Sequence, residues 1–248
     1  MRNETETLEH QSTAAGAVDG GAHRAVSDVN PAIELVIFDC DGVLVDSEPL
    51  AAEAMAGVLA EDEIAVTAAD IMAFVGMKQA DIFAGLERLS GRTFDASVGH
   101  RLWPATRTLF AERLQPTPDM VRFLDWLPLR RCVASSSSLE RIRFSLGVTG
   151  LDRFFDPDAI FSSEQVARGK PAPDLVLHAA GTMGVAPERC VVIEDSKFGI
   201  MGAVAAGMRP VGFLGGAHAS DVTASALRDA GAEVVLDSWA AVEDWLRR

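Results

Sequence analysis

The chain is poor in cysteine, with Cys40, Cys132 and Cys190 its only three. They are too few and too scattered for a disulfide framework or a paired-cysteine metal site, which fits a reducing compartment. Long apolar runs are missing as well. No stretch approaches the roughly 18 to 20 apolar residues that would cross a bilayer. The opening MRNETETLEHQSTAAGAVDGGAHRAVSDVN lacks the apolar centre of a secretory signal. Positive charge is in deficit, with 22 Lys and Arg against 36 Asp and Glu, a formal charge of −14. A field of that sign repels nucleic-acid phosphates and anionic headgroups at a distance. The expectation is a cytoplasmic protein without nucleic-acid or membrane partners, a monomer or weak homodimer, whose anionic substrates are drawn in locally.

What is present suffices for a sizeable core. Apolar residues make up 48% of the 248 and charged residues 23%, a globular balance, and the length suits one core with an inserted or appended module. Residues 1 to about 30 are rich in Gly, Ser, Thr and acids without amphipathic period, and predict a disordered tail. From Pro31 onward short apolar runs alternate with helical patterns, the mark of βαβ units in a parallel sheet. The clearest runs are ELVIFD (34–39), RCVAS (131–135), CVVIED (190–195), RPVGFL (209–214) and AEVVL (232–236). Their near-continuous apolar character suits strands buried on both faces. From 48 to about 114 strand signals vanish, and helical patterns follow one another, broken near Gly76, Gly91 and Pro104. Pro116 and Pro118 mark the return to the α/β pattern, so a helical module interrupts the sheet after its first strand.

In parallel α/β sheets ligands sit outside the carboxyl ends of the strands. There the sequence places Asp39 and Asp41 after the first strand, Ser135 after the second, and Glu194 with Asp195 after CVVI; Lys170 stands before a helix opened by PAPD. Ser137 and Glu140 spell a capping box opening the helix LERIRFSLG. Each residue has a plain structural alternative: Asp41-Gly42 a turn, Ser135 a helix start, Asp195 an N-cap, Lys170 a solvated lysine. A calcium loop is excluded, because Leu44 and Leu50 stand where it needs Gly and Glu. Taken together, the acids, hydroxyl and cation suit a phosphate ester and Mg²⁺, which prefers hard oxygen ligands. Asp39 could attack phosphorus while Asp41, two residues on along an extended segment and so on the same side, serves as acid and base. Bringing two negative charges to about 4 Å costs roughly 1 kcal/mol in water and about 4 near a protein surface. Mg²⁺ and Lys170 would offset that repulsion, and Ser135 with the amides opening its helix would bind phosphate oxygens.

The segments FDCDGVLVDSE (38–48), VASSSS (133–138), GKPAPD (169–174) and VVIEDSKFGIMGAVAAGM (191–208) resemble the haloacid dehalogenase (HAD) superfamily, in the phosphatase branch that holds sugar-phosphate phosphatases and β-phosphoglucomutase. The resemblance covers 34 to about 245. It implies a doubly wound, Rossmann-like α/β core (31–46 and 117–248) with an inserted helical cap (47–116). It also implies Asp39 as nucleophile forming an aspartyl-phosphate, Asp41 as general acid and base, and Ser135, Ser136 and Lys170 as phosphate-binding residues. The metal ligands it implies are Asp39, the Asp41 backbone carbonyl and Asp195, with Glu194 in support. In related caps a loop at the position of GMKQ (76–79) reaches into the site, making Lys78 the candidate for gripping the substrate.

The resulting expectation is a Mg²⁺-dependent phosphatase for a small phosphorylated sugar, polyol or sugar acid. β-Phosphoglucomutases carry a histidine ten residues after the acid/base aspartate, where this chain has Ala51, so hydrolysis is favoured over phosphoryl transfer between sugar positions. A receiver-like phosphate-binding module is the further alternative, though receivers are about half as long and lack an inserted cap. GFLGGAH (212–218) does not spell a dinucleotide-binding turn.

Overall fold

The computed structural model describes residues 29–74, 79–95, 97–219 and 221–248. Its sheet has six parallel strands, β1 (Leu35–Phe38), β2 (Arg130–Ser135), β3 (Ile160–Ser162), β4 (Cys190–Glu194), β5 (Arg209–Phe213) and β6 (Val234–Leu236), in the order β3-β2-β1-β4-β5-β6. This is the expected doubly wound α/β fold. β1 is central, with Leu35 in register with Arg130 on one side and Cys190 on the other.

Alternation along β1 explains why its sequence is apolar throughout. Leu35 and Ile37 enter one core with Leu175 and Val192, while Val36 and Phe38 enter the other with Phe123, Phe213 and Trp239. All four β1 side chains are fully buried, and each such burial contributes about 1.5–3 kcal/mol. β3 was not anticipated. It spans three residues between 3₁₀ turns at Pro157–Ala159 and Ser163–Gln165, too short to display a period.

Between β1 and β2 lie α1 (Glu48–Glu61), α2 (Ala68–Met72), α3 (Gln79–Ser90) and α4 (Ser97–Arg113), followed on the return to the core by α5 (Met120–Trp126). Leu59, Leu86 and Val98 centre a hydrophobic cluster of their own, separate from the two beneath the sheet. Gly91 follows α3 with φ +67°, the left-handed geometry that ends a helix. Pro104, expected as a break, instead lies inside α4. An interior proline costs about 3 kcal/mol, and α4 packs along α1, burying Val98, Thr106 and Phe110 on either side of it, which holds the helix together. Gly76 lies outside the described residues.

The chain leaves and re-enters the core through adjacent segments. Val45 bridges to Pro116, Asp46 N–H donates to Gln115 C=O (3.0 Å), and Thr117 N–H donates to Leu44 C=O (3.1 Å). Thr117 Oγ1 donates to Val43 C=O (2.7 Å) and accepts from Trp239 Nε1 (3.0 Å), tying this junction to the core. The expected tail lies outside the described residues up to position 28; Val29 is buried and Asn30 N–H donates to Leu246 C=O (2.8 Å). No helix among the described residues is long and apolar enough to cross a membrane.

Candidate active site

The strand order reverses between β1 and β4, and a doubly wound sheet opens its ligand crevice at that point. Asp39 directly follows β1, where its N–H donates to Ile193 C=O (3.0 Å). Glu194 ends β4 and Asp195 follows it. The three buried residues each offer a carboxylate oxygen, all within 4.8 Å of one another. Lys170, on the loop before α7 (Asp174–Met183), places Nζ 2.6 Å from Asp39 Oδ1 and 2.6 Å from Glu194 Oε2. Its side chain is 6% exposed, so this cation is committed to the carboxylates.

Two glycines make the crowding possible. Gly42 has φ +74°, and a Cβ there would stand 2.1 Å from Asp195 Oδ2; at Gly199, on α8 (Lys197–Ala205), it would stand 2.0 Å from Glu194 Oε2. Hydrogen bonds orient the acids further. Ser196, the N-cap of α8, donates through Oγ to Glu194 Oε1 (2.7 Å) and accepts Gly199 N–H (3.1 Å). Thus Ser196, not Asp195, caps this helix. His218 Nε2 lies 2.9 Å from Asp195 Oδ2.

Burial, then the charge of Glu194, pushes Asp39 well above the ordinary aspartate range, with Lys170 opposing. Glu194 is raised by burial against the same ammonium. Burial disfavours charge on Lys170, but Asp39 and Glu194 outweigh it and hold the ammonium above the usual lysine range. Two of the three buried carboxylates therefore share one committed ammonium while Asp195 faces His218, and the oxygen donors of all three fit a hard divalent cation.

Asp41 is held differently. Its Oδ1 lies 2.8 Å from Arg141 Nη2, and its Oδ2 accepts from Ser137 Oγ (2.6 Å). Burial would raise this carboxyl, but the Arg141 charge and the Ser137 hydroxyl bond together hold it below the usual range. Ser137 is consequently not the helix cap expected from sequence. Ser138 is, accepting Arg141 N–H (3.2 Å) at the start of α6 (Leu139–Thr149). The one-residue shift moves Glu140 off the capping-box position and frees Ser137 to meet Asp41.

A cavity of about 930 Å³ lies over these groups. Asp39, Asp41, Ser135, Ser136, Lys170, Glu194 and Asp195 all line it, together with Ala51, Met55, Ile71, Leu102 and Trp103 from the inserted helices. Ser135, buried at the end of β2, accepts Ser137 N–H (3.2 Å); Ser136 is exposed, with its carbonyl accepting from Ser163 Oγ (2.9 Å). Cys40, between the two aspartates, turns into the core. Trp103 packs edge-on against Phe110 and Phe144, bridging the inserted helices to α6. Lys78 lies outside the described residues. Sequence reasoning missed Arg141, Ser137 as a partner of Asp41, His218 and the part taken by Glu48. Glu48 opens α1 at the cavity wall, where burial, then Asp41 and Asp195, push its carboxyl up to about 7.

Comparison with known proteins agrees with this geometry. Residues 33–207 match the model of the haloacid dehalogenase-like hydrolases. The 6-phosphogluconate phosphatase of Escherichia coli (strain K12) is 30% identical over 188 residues, 75% of this chain and 85% of that protein. The fructose-1-phosphate phosphatase YqaB of the same organism is 32% identical over 178 residues, covering 71% and 94%. A HAD family hydrolase from Deinococcus radiodurans R1, solved with bound phosphate and sodium, superposes with a TM-score of 0.71 at 32% identity over 86% of this chain and 94% of that one. The chain belongs to the haloacid dehalogenase-like hydrolase family and is a phosphoric monoester hydrolase.

Proposed function

We propose that the protein is a Mg²⁺-dependent phosphatase for small phosphorylated sugars, polyols or sugar acids, working through an aspartyl-phosphate on Asp39. The observation that carries this is the meeting of Asp39, Glu194, Asp195 and Lys170 where the strand order reverses. The relatives named for 6-phosphogluconate and fructose 1-phosphate support the substrate class. Asp39, Asp195 and the Asp41 backbone carbonyl would hold the ion, with Glu194 in support. When bound, Mg²⁺ supplies charge neutralisation between the carboxylates and the phosphate.

The protein's own groups do the rest. Lys170 and Ser135, with Ser136 at the rim, hold the phosphoryl oxygens while an Asp39 oxygen attacks phosphorus and the bond to the sugar oxygen breaks. Asp41 is held ionised in the free site, so it must take up a proton as the phosphate's negative charge arrives beside it; it then gives that proton to the departing oxygen and takes one from the water that attacks phosphorus and releases Asp39. The helices from Glu48 to Arg113 act as a cap over the site, and Lys78 is the residue proposed to grip the substrate. Ala51 lines the cavity and carries no group to hold the acid/base aspartate back, which favours hydrolysis over phosphomutase chemistry.

The test is phosphate release from hexitol phosphates, fructose 1-phosphate, 6-phosphogluconate and p-nitrophenyl phosphate, with Mg²⁺ and with EDTA. Release should need Mg²⁺ and be lost in Asp39→Asn. Metal-independent turnover, or an active Asp39→Asn, would sink the proposal. Interconversion of β-glucose 1-phosphate and glucose 6-phosphate without phosphate release would make the protein a mutase.

A further inference from the structure

Of the cations that line the cavity, Arg168 pairs with Asp174, while Lys170 and Arg141 are divided between the two carboxylates of the proposed reaction. Lys170 pairs with Asp39 and Glu194, while Arg141 pairs with Asp41 alone. Asp41 serves the leaving oxygen in the proposed chemistry, so Arg141 stands beside the sugar part of the substrate rather than the transferred phosphoryl group. Its position is fixed from both sides of the cavity. It lies in the first turn of α6 on the core, and its Cζ sits 5.2 Å from the ring centroid of Phe110 on α4. The ion pair uses Nη2, while Nε is buried with no hydrogen-bond partner among the described residues. A guanidinium stays charged throughout and presents its donors as a planar fork, suited to acceptor oxygens.

We infer that Arg141 determines specificity on the leaving-group side of the site, by donating to an acceptor oxygen that the substrate carries next to its phosphate ester. This rests on the phosphatase proposal above. The acceptor is a hydroxyl in a polyol phosphate and a carboxylate in a short phosphorylated acid. p-Nitrophenyl phosphate carries neither beside its ester, and so supplies the internal control.

The experiment compares kcat/KM for a hexitol phosphate, phosphoglycolate and p-nitrophenyl phosphate in the wild type, Arg141→Met and Arg141→Lys. In Arg141→Met the ratio of either natural-type ester to p-nitrophenyl phosphate should fall by about 30-fold or more, mostly through KM. Arg141→Lys should recover part of the ratio, more for the carboxylate if charge is what is read and equally for both esters if a single donor suffices. Because each ratio is taken within one protein, it does not depend on how much of a variant folds. A wild type that turns over all three, with a ratio in Arg141→Met within about threefold of wild type, overturns this inference and leaves the phosphatase proposal standing. A wild type that releases phosphate from none of them overturns both.

Discussion

The cavity is faced by two regions of opposite character. From the core come Asp39, Asp41, Lys170, Arg141, Glu194 and Asp195; from the inserted helices come Ala51, Ala52, Met55, Ile71, Ile82 and Leu102, with Glu48 as the acid of that face among the described residues. The charged face is stiff for a reason that can be named. Its carboxylates lean on backbone at Gly42 and Gly199, where no side chain fits, and are bonded to partners that are themselves buried. The apolar face has no such constraints and excludes water instead. The acids proposed for bond-making thus stand on one stretch of chain and the apolar wall on another, with Arg141 as the core residue turned toward the leaving group, and a change on one face should read out differently from a change on the other.

The largest effect expected from the core face is that of Asp39→Asn, which should lower kcat by roughly 10⁴-fold or more, the scale of losing a covalent nucleophile. If activity survives, the division of labour is wrong. Next come the two glycines. Gly42→Ala should cost about 1–2 kcal/mol for the left-handed backbone alone and should weaken Mg²⁺ binding, measured by calorimetry, because its Cβ overlaps Asp195. Gly199→Ala tests the same point without backbone strain. Alanine improves a helix by up to about 1 kcal/mol, yet here the variant should melt lower and turn over slowly, since the new Cβ meets the Glu194 carboxyl. A more stable, fully active Gly199→Ala would show that the charged face is softer than described.

Glu48 sharpens the comparison from the other side. It moves from its ordinary 4.5 to about 7 through burial and the charges of Asp41 and Asp195. The folded protein therefore keeps this proton where the unfolded chain has lost it, and stability falls as pH rises from about 4.5 to about 7. Glu48→Gln removes that penalty. In EDTA its melting temperature should match wild type near pH 4.5, exceed it increasingly up to about pH 7 and level off above that, and a constant difference would refute the assignment. The smallest effect belongs far from the cavity. The paired hydrogen bonds between Arg113 and Glu53 (2.7 and 2.8 Å) are half exposed, and Arg113→Ala should move the melting temperature by at most about 2 °C.

Much of the charged face could be read from the sequence because one rule finds it: acids and cations next to apolar runs, at the ends of parallel strands. Five strands, Asp39, Ser135, Glu194 and Asp195 followed from that. The rule applied equally to RPVGFL would have reached His218, five residues beyond β5, but GFLGGAH was weighed only as a nucleotide-binding turn. Arg141 had no such signal. On one helix with Arg143, it is distinguished only by a pairing 100 residues away that depends on which serine caps α6. β3 escaped because three residues carry no periodicity, and Pro104 misled because tertiary packing along α1 overrides a local helix breaker.

The junction at Val45 and Pro116 bears on how such a protein changes over time. The outgoing and returning segments touch there and are tied through Thr117 to Trp239, so the 47–114 stretch begins and ends at one place on the core. The helical stretch is joined to the core at a seam whose two edges meet. A different helical module spliced between the same two positions would have to return apolar side chains to the places that Leu50, Phe110 and Leu114 fill in the core. New substrates could thus be reached by exchanging one module while the phosphate chemistry stays in place.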